Sequence, residues 1–153
     1  MAQVTLTWPE VLMATNVGIM RRIQALKVDR PARYGCGIID SWTMDIESSC
    51  AEMAVAKLTK QYWAGAIGDL NADDVGSLQV RQTSGLSNSL IVHPSDKDDR
   101  KFILVTGTAP IFFIRGWMMG IDAKQQRFWK DPAGGRPAYF VPQSELRDIN
   151  LLR

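Results

Sequence analysis

The feature that most restricts the fold is a change of texture near residue 64. Residues 45–63, DIESSCAEMAVAKLTKQYW, contain neither glycine nor proline and are rich in Ala, Met, Lys and Glu, the composition of a stable helix. Beyond them the chain breaks into short runs, SLQVRQT, NSLIVHP, KFILVTGT and PIFFIRGWMMG, rich in β-branched and aromatic residues and separated by Gly, Asn, Ser, Asp and Pro. That pattern predicts strands at 78–83, 89–93, 101–107 and 111–118 in one sheet. Upstream, TWPEVLMATNVGIMRRIQALKVD offers Thr7 as an N-cap, Pro9 in the first turn and apolar Val11, Leu12, Ile19, Ile23 and Leu26 near helical spacing. It reads as one helix, or two meeting near Asn16–Gly18, ended by Pro31, Gly35 and Gly37. Towards the C-terminus, GIDAKQQRFWKD reads as a short basic and aromatic helix, and RPAYFVPQSELRDI as a last strand stopped by Pro142 before a helical turn. Helices first and strands after them give an α+β fold, N-terminal helices packed on a central mixed sheet of four to five strands.

The 153 residues show no internal repeat, low-complexity tract or long linker, which fits a single domain over 1–153. With 46% hydrophobic and 22% charged residues the composition is globular, and a formal net charge of +2 permits a nucleic-acid partner without demanding one. No run approaches the ~18 apolar residues of a membrane span and the start lacks a signal-peptide pattern, so a soluble, cytoplasmic protein with no membrane partner is expected. Cys36 and Cys50 lie fourteen apart without a CxxC or paired histidines, and read as reduced structural thiols. His93 is the only histidine, which removes two-histidine metal sites, and no nucleophile-elbow or P-loop motif is present.

Chemistry concentrates around DVGSLQVRQT, residues 74–83. In a strand at 78–83, Gln79 and Arg81 share one face and Leu78 and Val80 the other. On the preceding helix Glu52 stands on a stripe of small residues with Ser48, Ser49, Val55, Ala56 and Thr59, opposite Ile46, Cys50, Met53, Ala54 and Leu58. A carboxylate on such a stripe can point at the start of the following strand; the plainer alternative is a solvated helix glutamate. Asp74 and Gln79 are five residues apart, ~16 Å along a straight strand, so they meet only if Val75–Leu78 form a tight turn, for which Gly76 and Ser77 are suited. Otherwise Asp69 lies across a longer hairpin and Asp74 merely opens the strand. Asp45 is a further carboxylate on the helix.

A helix glutamate, an aspartate before a strand and a polar-x-basic triplet on that strand resemble the core of the PD-(D/E)XK nucleases, in a version where glutamine replaces the third acid and arginine the lysine. The blocks DVGSLQVRQT, FILVTG, GWMMGIDAK and RPAYFVPQSEL also resemble small proteins of tailed phages and prophages, over roughly residues 40–146. The first resemblance implies a restriction-endonuclease-like fold, and metal-dependent hydrolysis of DNA with Glu52, Asp74 and Gln79 as side-chain metal ligands, the Val80 carbonyl as a further one and Arg81 beside the scissile phosphate. Such hydrolysis uses Mg²⁺ or Mn²⁺ with oxygen ligands, which neutralise charge on the phosphate and make water a better nucleophile. Gln79 brings no charge and Arg81 cannot act as a base, so slow cleavage favouring Mn²⁺ is expected.

Nucleic-acid contacts are read at Lys124, Arg127 and Lys130, interleaved with Phe128 and Trp129, and at Arg21, Arg22, Lys27, Arg30 and Arg33. The alternative for the first group is a helix face packing its aromatics inward. The charged run SDKDDRK, 95–101, reads as a solvated turn. Three functional classes stay open: a phage nuclease in the infected bacterial host, a nuclease-fold protein that only binds nucleic acid, and a factor binding a host or phage protein. A homodimer is compatible with each.

Overall fold

A computed structural model describes residues 1–28, 38–69 and 72–152. After a short strand β1 (Ala2–Thr5), helix α1 (Trp8–Lys27) starts on a capping box: the Glu10 N–H donates to Thr7 Oγ1 at 3.3 Å, and the Thr7 N–H donates to Glu10 Oε2 at 2.7 Å. The helix does not divide at Asn16–Gly18. Gly18 is instead the point of closest approach to helix α2 (Ile38–Thr59), where a Cβ would fall 2.6 Å from the Ile46 Cα and 2.7 Å from the Asp45 carbonyl oxygen. The expected breaks at Pro31, Gly35 and Gly37, and Cys36 with them, lie outside the described residues.

The second helix begins seven residues before the expected 45 and ends before 63, at Lys60, whose φ of 56° is left-handed and lets the Gln61 N–H reach back to the Ala56 carbonyl. Its two expected faces are not one buried and one wet. Ser49, Cys50, Ala51, Glu52, Ala54, Val55 and Ala56 are all buried, because α2 lies between α1 and a sheet.

That sheet has the order β1-β5-β4-β2, with β2 (Leu78–Thr83), β4 (Lys101–Thr108) and β5 (Ile111–Met119). The β2–β4 pairing is parallel and the others antiparallel, so the four-stranded sheet is mixed, as expected of an α+β chain with its helices first. β4 is apolar on both faces. Ile103 and Val105 join the helix-side core with Ala14, Cys50, Ala54 and Val55, while Phe102 and Leu104 join a second core on the far side.

The second core is closed by a smaller antiparallel sheet, β3-β7-β6, made of β3 (Leu90–Val92), β6 (Trp129–Lys130) and β7 (Ala138–Val141). This corrects the expectation that 89–93 joins the main sheet. Leu90 and Val92 point inward and Ile91 outward, the alternation expected of a strand, but alternation does not say which sheet a strand enters. The far face of β4 needed a cover, and β3 supplies part of it. The basic segment is not one helix either: a four-residue helix α3 (Gly120–Ala123) gives way to a 3₁₀ turn over Gln126–Phe128 and then β6. Phe128 is buried and Trp129 packs at 4.8 Å on Tyr139, so the aromatics serve the core. Among the described residues no helix is long and apolar enough to cross a membrane.

Candidate functional site

A cleft of about 820 Å³ opens along the free edge of β2. One wall is helical, with Arg21 and Arg22 from α1 and Asp45, Ser48 and Glu52 from α2. The other is a loop wall, with His93, Pro94, Ser95 and Asp96.

The edge itself is built by a two-residue hairpin. Val75 and Leu78 form an antiparallel bridge around Gly76 and Ser77, and the Asp74 N–H donates to the Leu78 carbonyl at 3.0 Å. Gly76 has φ 57°, a left-handed conformation that favours glycine, and the turn packs against the end of the Gln61 side chain. Asp74 thus stands opposite Gln79, and its Oδ2 accepts the Val80 N–H at 2.7 Å, where a longer hairpin would have used a main-chain carbonyl. Because Leu78 turns its N–H and C=O to the hairpin, alternation turns those of Val80 the same way. The Val80 carbonyl therefore faces the cleft edge alongside Asp74.

Glu52 is not a solvated glutamate. Arg21 grips it with two hydrogen bonds, Nη1 to Oε1 at 2.8 Å and Nη2 to Oε2 at 3.0 Å, and the Trp63 Nε1 donates to Oε2 at 2.9 Å. Trp63 reaches it because α2 stops at Thr59. Burial would push the Arg21 guanidinium down, but the hydrogen bonds and charge of Glu52, aided by Asp74 and Asp45, outweigh burial and hold it above its ordinary range. The Asp74 carboxyl moves the other way. Burial first, and then the charge of Glu52, push it up from 3.8 to about 6, against the opposing pull of the Val80 N–H and of Arg81 and Arg21.

Gln79 and Arg81 lie on the other face of β2. Leu78 and Val80 point into the helix-side core, so their neighbours point away from α2. Gln79 Nε2 donates to Asp73 Oδ1 at 2.7 Å, an oxygen that also accepts from Arg100 Nε at 2.9 Å. Arg81 stacks 5.0 Å over Phe102 and donates from Nη2 to Asp96 Oδ1 at 2.8 Å. The structure therefore brings Glu52, Asp74, Gln79, Val80 and Arg81 to one cleft, but turns the Gln79 and Arg81 side chains away from the helix that carries Glu52.

The basic residues expected to meet nucleic acid are largely engaged within the fold. Arg21 holds Glu52, and Arg22, buried, lies 3.3 Å from Asp45 without its Nε being aligned for a hydrogen bond. The Lys124 Nζ is taken up by the Pro94 and Asp96 carbonyls and by Asp98 Oδ1, so it staples the loop wall. Arg127 is exposed but paired with Glu145 and laid over Phe128, and Lys130 is exposed on β6. Lys27 is exposed at the end of α1; Arg30 and Arg33 lie outside the described residues.

Asp73, Asp96, Arg100 and Trp63 are site residues that the sequence did not single out. Asp96 and Arg100 belong to the run read as a solvated turn. Its alternating charges were the available signal, but only the parallel β2–β4 pairing brings that turn back against the cleft. Counting side chains on the lining, Asp45, Glu52, Asp69, Asp73, Asp74 and Asp96 face Arg21, Arg22 and Arg81, six acids to three arginines. Among the described residues no three His, Cys, Asp or Glu side chains stand close enough to hold a metal ion by themselves. No protein-family model matches the chain, no curated protein aligns with it, and no solved structure matches its fold.

Proposed function

We propose that the cleft is the centre of a PD-(D/E)XK-like nuclease that hydrolyses DNA with Mg²⁺ or Mn²⁺. The observation that carries this reading is the hairpin that fixes Asp74 in the cleft Glu52 also lines, where burial and the charge of Glu52 push the Asp74 carboxyl up to about 6. Two acids crowded in one partly buried place favour a cation between them. The excess of acids over arginines points the same way, since a phosphate backbone would be repelled from this lining unless cations came with it.

The residues that fit such an ion are Glu52, through the lone pairs its three hydrogen bonds leave open, Asp74, and the Val80 carbonyl. A bound cation would neutralise phosphate charge and acidify water. The chain itself contributes position: the hairpin fixes Asp74 against Val80, Arg21 and Trp63 fix Glu52, and Asp96 fixes Arg81. The planar guanidinium of Arg81 suits holding a phosphate, not taking a proton. Gln79 is the weakest member of the set, because its amide nitrogen is committed to Asp73 on the other face of β2.

A second reading draws on the same clamp. With Glu52 gripped by Arg21 and Trp63, and Arg81 by Asp96, the clamp suits a protein that does not cut, and nucleic acid would then be held by the exposed Arg127 and Lys130 outside the acid-lined cleft. Time-resolved cleavage of plasmid and of labelled single-stranded DNA, with Mg²⁺ and with Mn²⁺, separates the two. The nuclease reading expects slow, Mn²⁺-favoured cleavage that Asp74→Ala abolishes, and Mn²⁺ binding by titration calorimetry that the same change removes. Inert protein that still shifts DNA in a salt-dependent way would establish the second reading.

A further inference from the structure

The outer face of α1 is apolar, while the charged side chains along the body of the helix turn inward. Trp8, Leu12, Met13, Met20 and Leu26 are between 47% and 73% exposed. Glu10, Arg21 and Arg22 instead pair with Lys57, Glu52 and Asp45 of α2. At 100° per residue Leu12, Met13, Asn16, Met20 and Ile23 share about a third of the helix circumference, opposite the buried Ala14, Gly18 and Ala25. A surface helix ordinarily does the reverse. Within this arc Leu12, Met13 and Met20 are 63%, 60% and 47% exposed side by side, a contiguous apolar patch of the kind that marks a binding surface.

We propose that this face is the interface of a homodimer in which α1 crosses α1 of a second copy antiparallel, about a two-fold axis near Asn16. A two-fold interface must complement itself, and the pattern does so. Leu12 and Met20 stand four residues on either side of Asn16, and Met13 and Ile19 three on either side, so each meets an apolar counterpart. Asn16, the one polar residue in the middle of the face, falls where it meets its own copy, and an amide can both donate to and accept from another amide. The arc carries no charge until Lys27 at its end, so it offers nothing for an oppositely charged partner to recognise. A crossing of one helix on another is smaller than the ~800 Å² per partner of a standard interface, so the dimer is expected to be reversible. Since the inner face of the same helix lines the cleft with Arg21 and Arg22, the two clefts of the dimer would flank the α1 pair. The proposal does not depend on what the cleft binds.

Light scattering after size exclusion, with the whole chain at tens of micromolar, tests it. Wild type is expected at twice the chain mass. L12E/M20E and L12K/M20K, both on the exposed face, are expected to be monomers with unchanged far-UV circular dichroism. L12E/M20K is expected to keep a dimer at least tenfold tighter than L12E/M20E, because an antiparallel crossing sets the introduced carboxylate of one copy against the introduced ammonium of the other. A wild-type monomer overturns the proposal, and if that monomer co-sediments with neutral phosphatidylcholine vesicles the face belongs to a lipid surface. A dimer indifferent to the charged variants places the interface elsewhere. L12E/M20K behaving like L12E/M20E overturns the antiparallel crossing.

Discussion

The helical and loop walls of the cleft both hold arginine–carboxylate pairs, yet in different surroundings. On the helical wall the Glu52 side chain keeps 6% of its exposure and is met by three donors in a tight crossing of α1 and α2. On the loop wall the Arg81–Asp96 pair retains 19% and 18% and the neighbouring Arg100–Asp73 pair 28% and 22%, each carboxylate met by two donors. A buried charge is dangerous to orphan, because it has no water to turn to, whereas a partly exposed one is resolvated when its partner leaves. The helical wall should therefore behave as part of the fold and the loop wall as an adjustable surface.

The largest expected effect tests the helical wall. Arg21→Met leaves Glu52 buried without its cation and should cost about 3–5 kcal/mol in urea unfolding, while R21M/E52L should recover most of it. If the single change costs under about 1 kcal/mol, water reaches Glu52 freely and the contrast between the walls fails.

Next is Asp74, which sits where the walls meet. Its folded value of about 6 exceeds the ordinary 3.8, so between those values the folded state holds more protons than the unfolded one. Stability should then fall as pH rises through that window and level off above it, by roughly 2–3 kcal/mol. Asp74→Asn keeps an acceptor for the Val80 N–H and should remove that fall, leaving the variant more stable than wild type at pH 7. If cations bind here, Mn²⁺ should raise the wild-type melting temperature at pH 7 and leave that of Asp74→Asn unmoved.

Trp63→Phe keeps the ring's bulk and deletes one donor to Glu52, a charge-assisted bond worth about 1.5–3 kcal/mol at most. A loss in that range, seen by thermal melting, would mark the indole N–H as part of the clamp.

The smallest effects belong to the loop wall. Arg100→Ala should shift unfolding by no more than about 1 kcal/mol. Gln79→Glu replaces a donor to Asp73 with a like charge, so calorimetry should show slightly lower stability, and Mn²⁺ binding should stay as in wild type because the side chain is turned away from Glu52. Tighter Mn²⁺ binding would show that position 79 reaches the ion after all.

Much of the fold was legible because it rests on local rules. Thr7 before Pro9 starts a helix, a run without glycine or proline forms one even though it ends four residues short of 63, and KFILVTGT is a strand by its β-branched and aromatic residues. Gly76 and Ser77 likewise marked a turn that lets Asp74 meet Gln79. What could not be read was which side of a strand meets which helix, or which sheet a strand of three residues joins. Parity puts Gln79 and Arg81 together, but only the packing of Leu78 and Val80 against α2 sends that pair away from Glu52. The sequence likewise offered Arg21 and Lys124 as free cations. Their partners stand 31 and 26 residues away in the chain, and such distant meetings are decided by how helices and strands stack. Residues, spacing and turns are properties of a few neighbours, and the sequence determined them. Burial, and with it the charge state of Asp74 and the grip on Glu52, is a property of the whole packed chain, and the tertiary structure decided it.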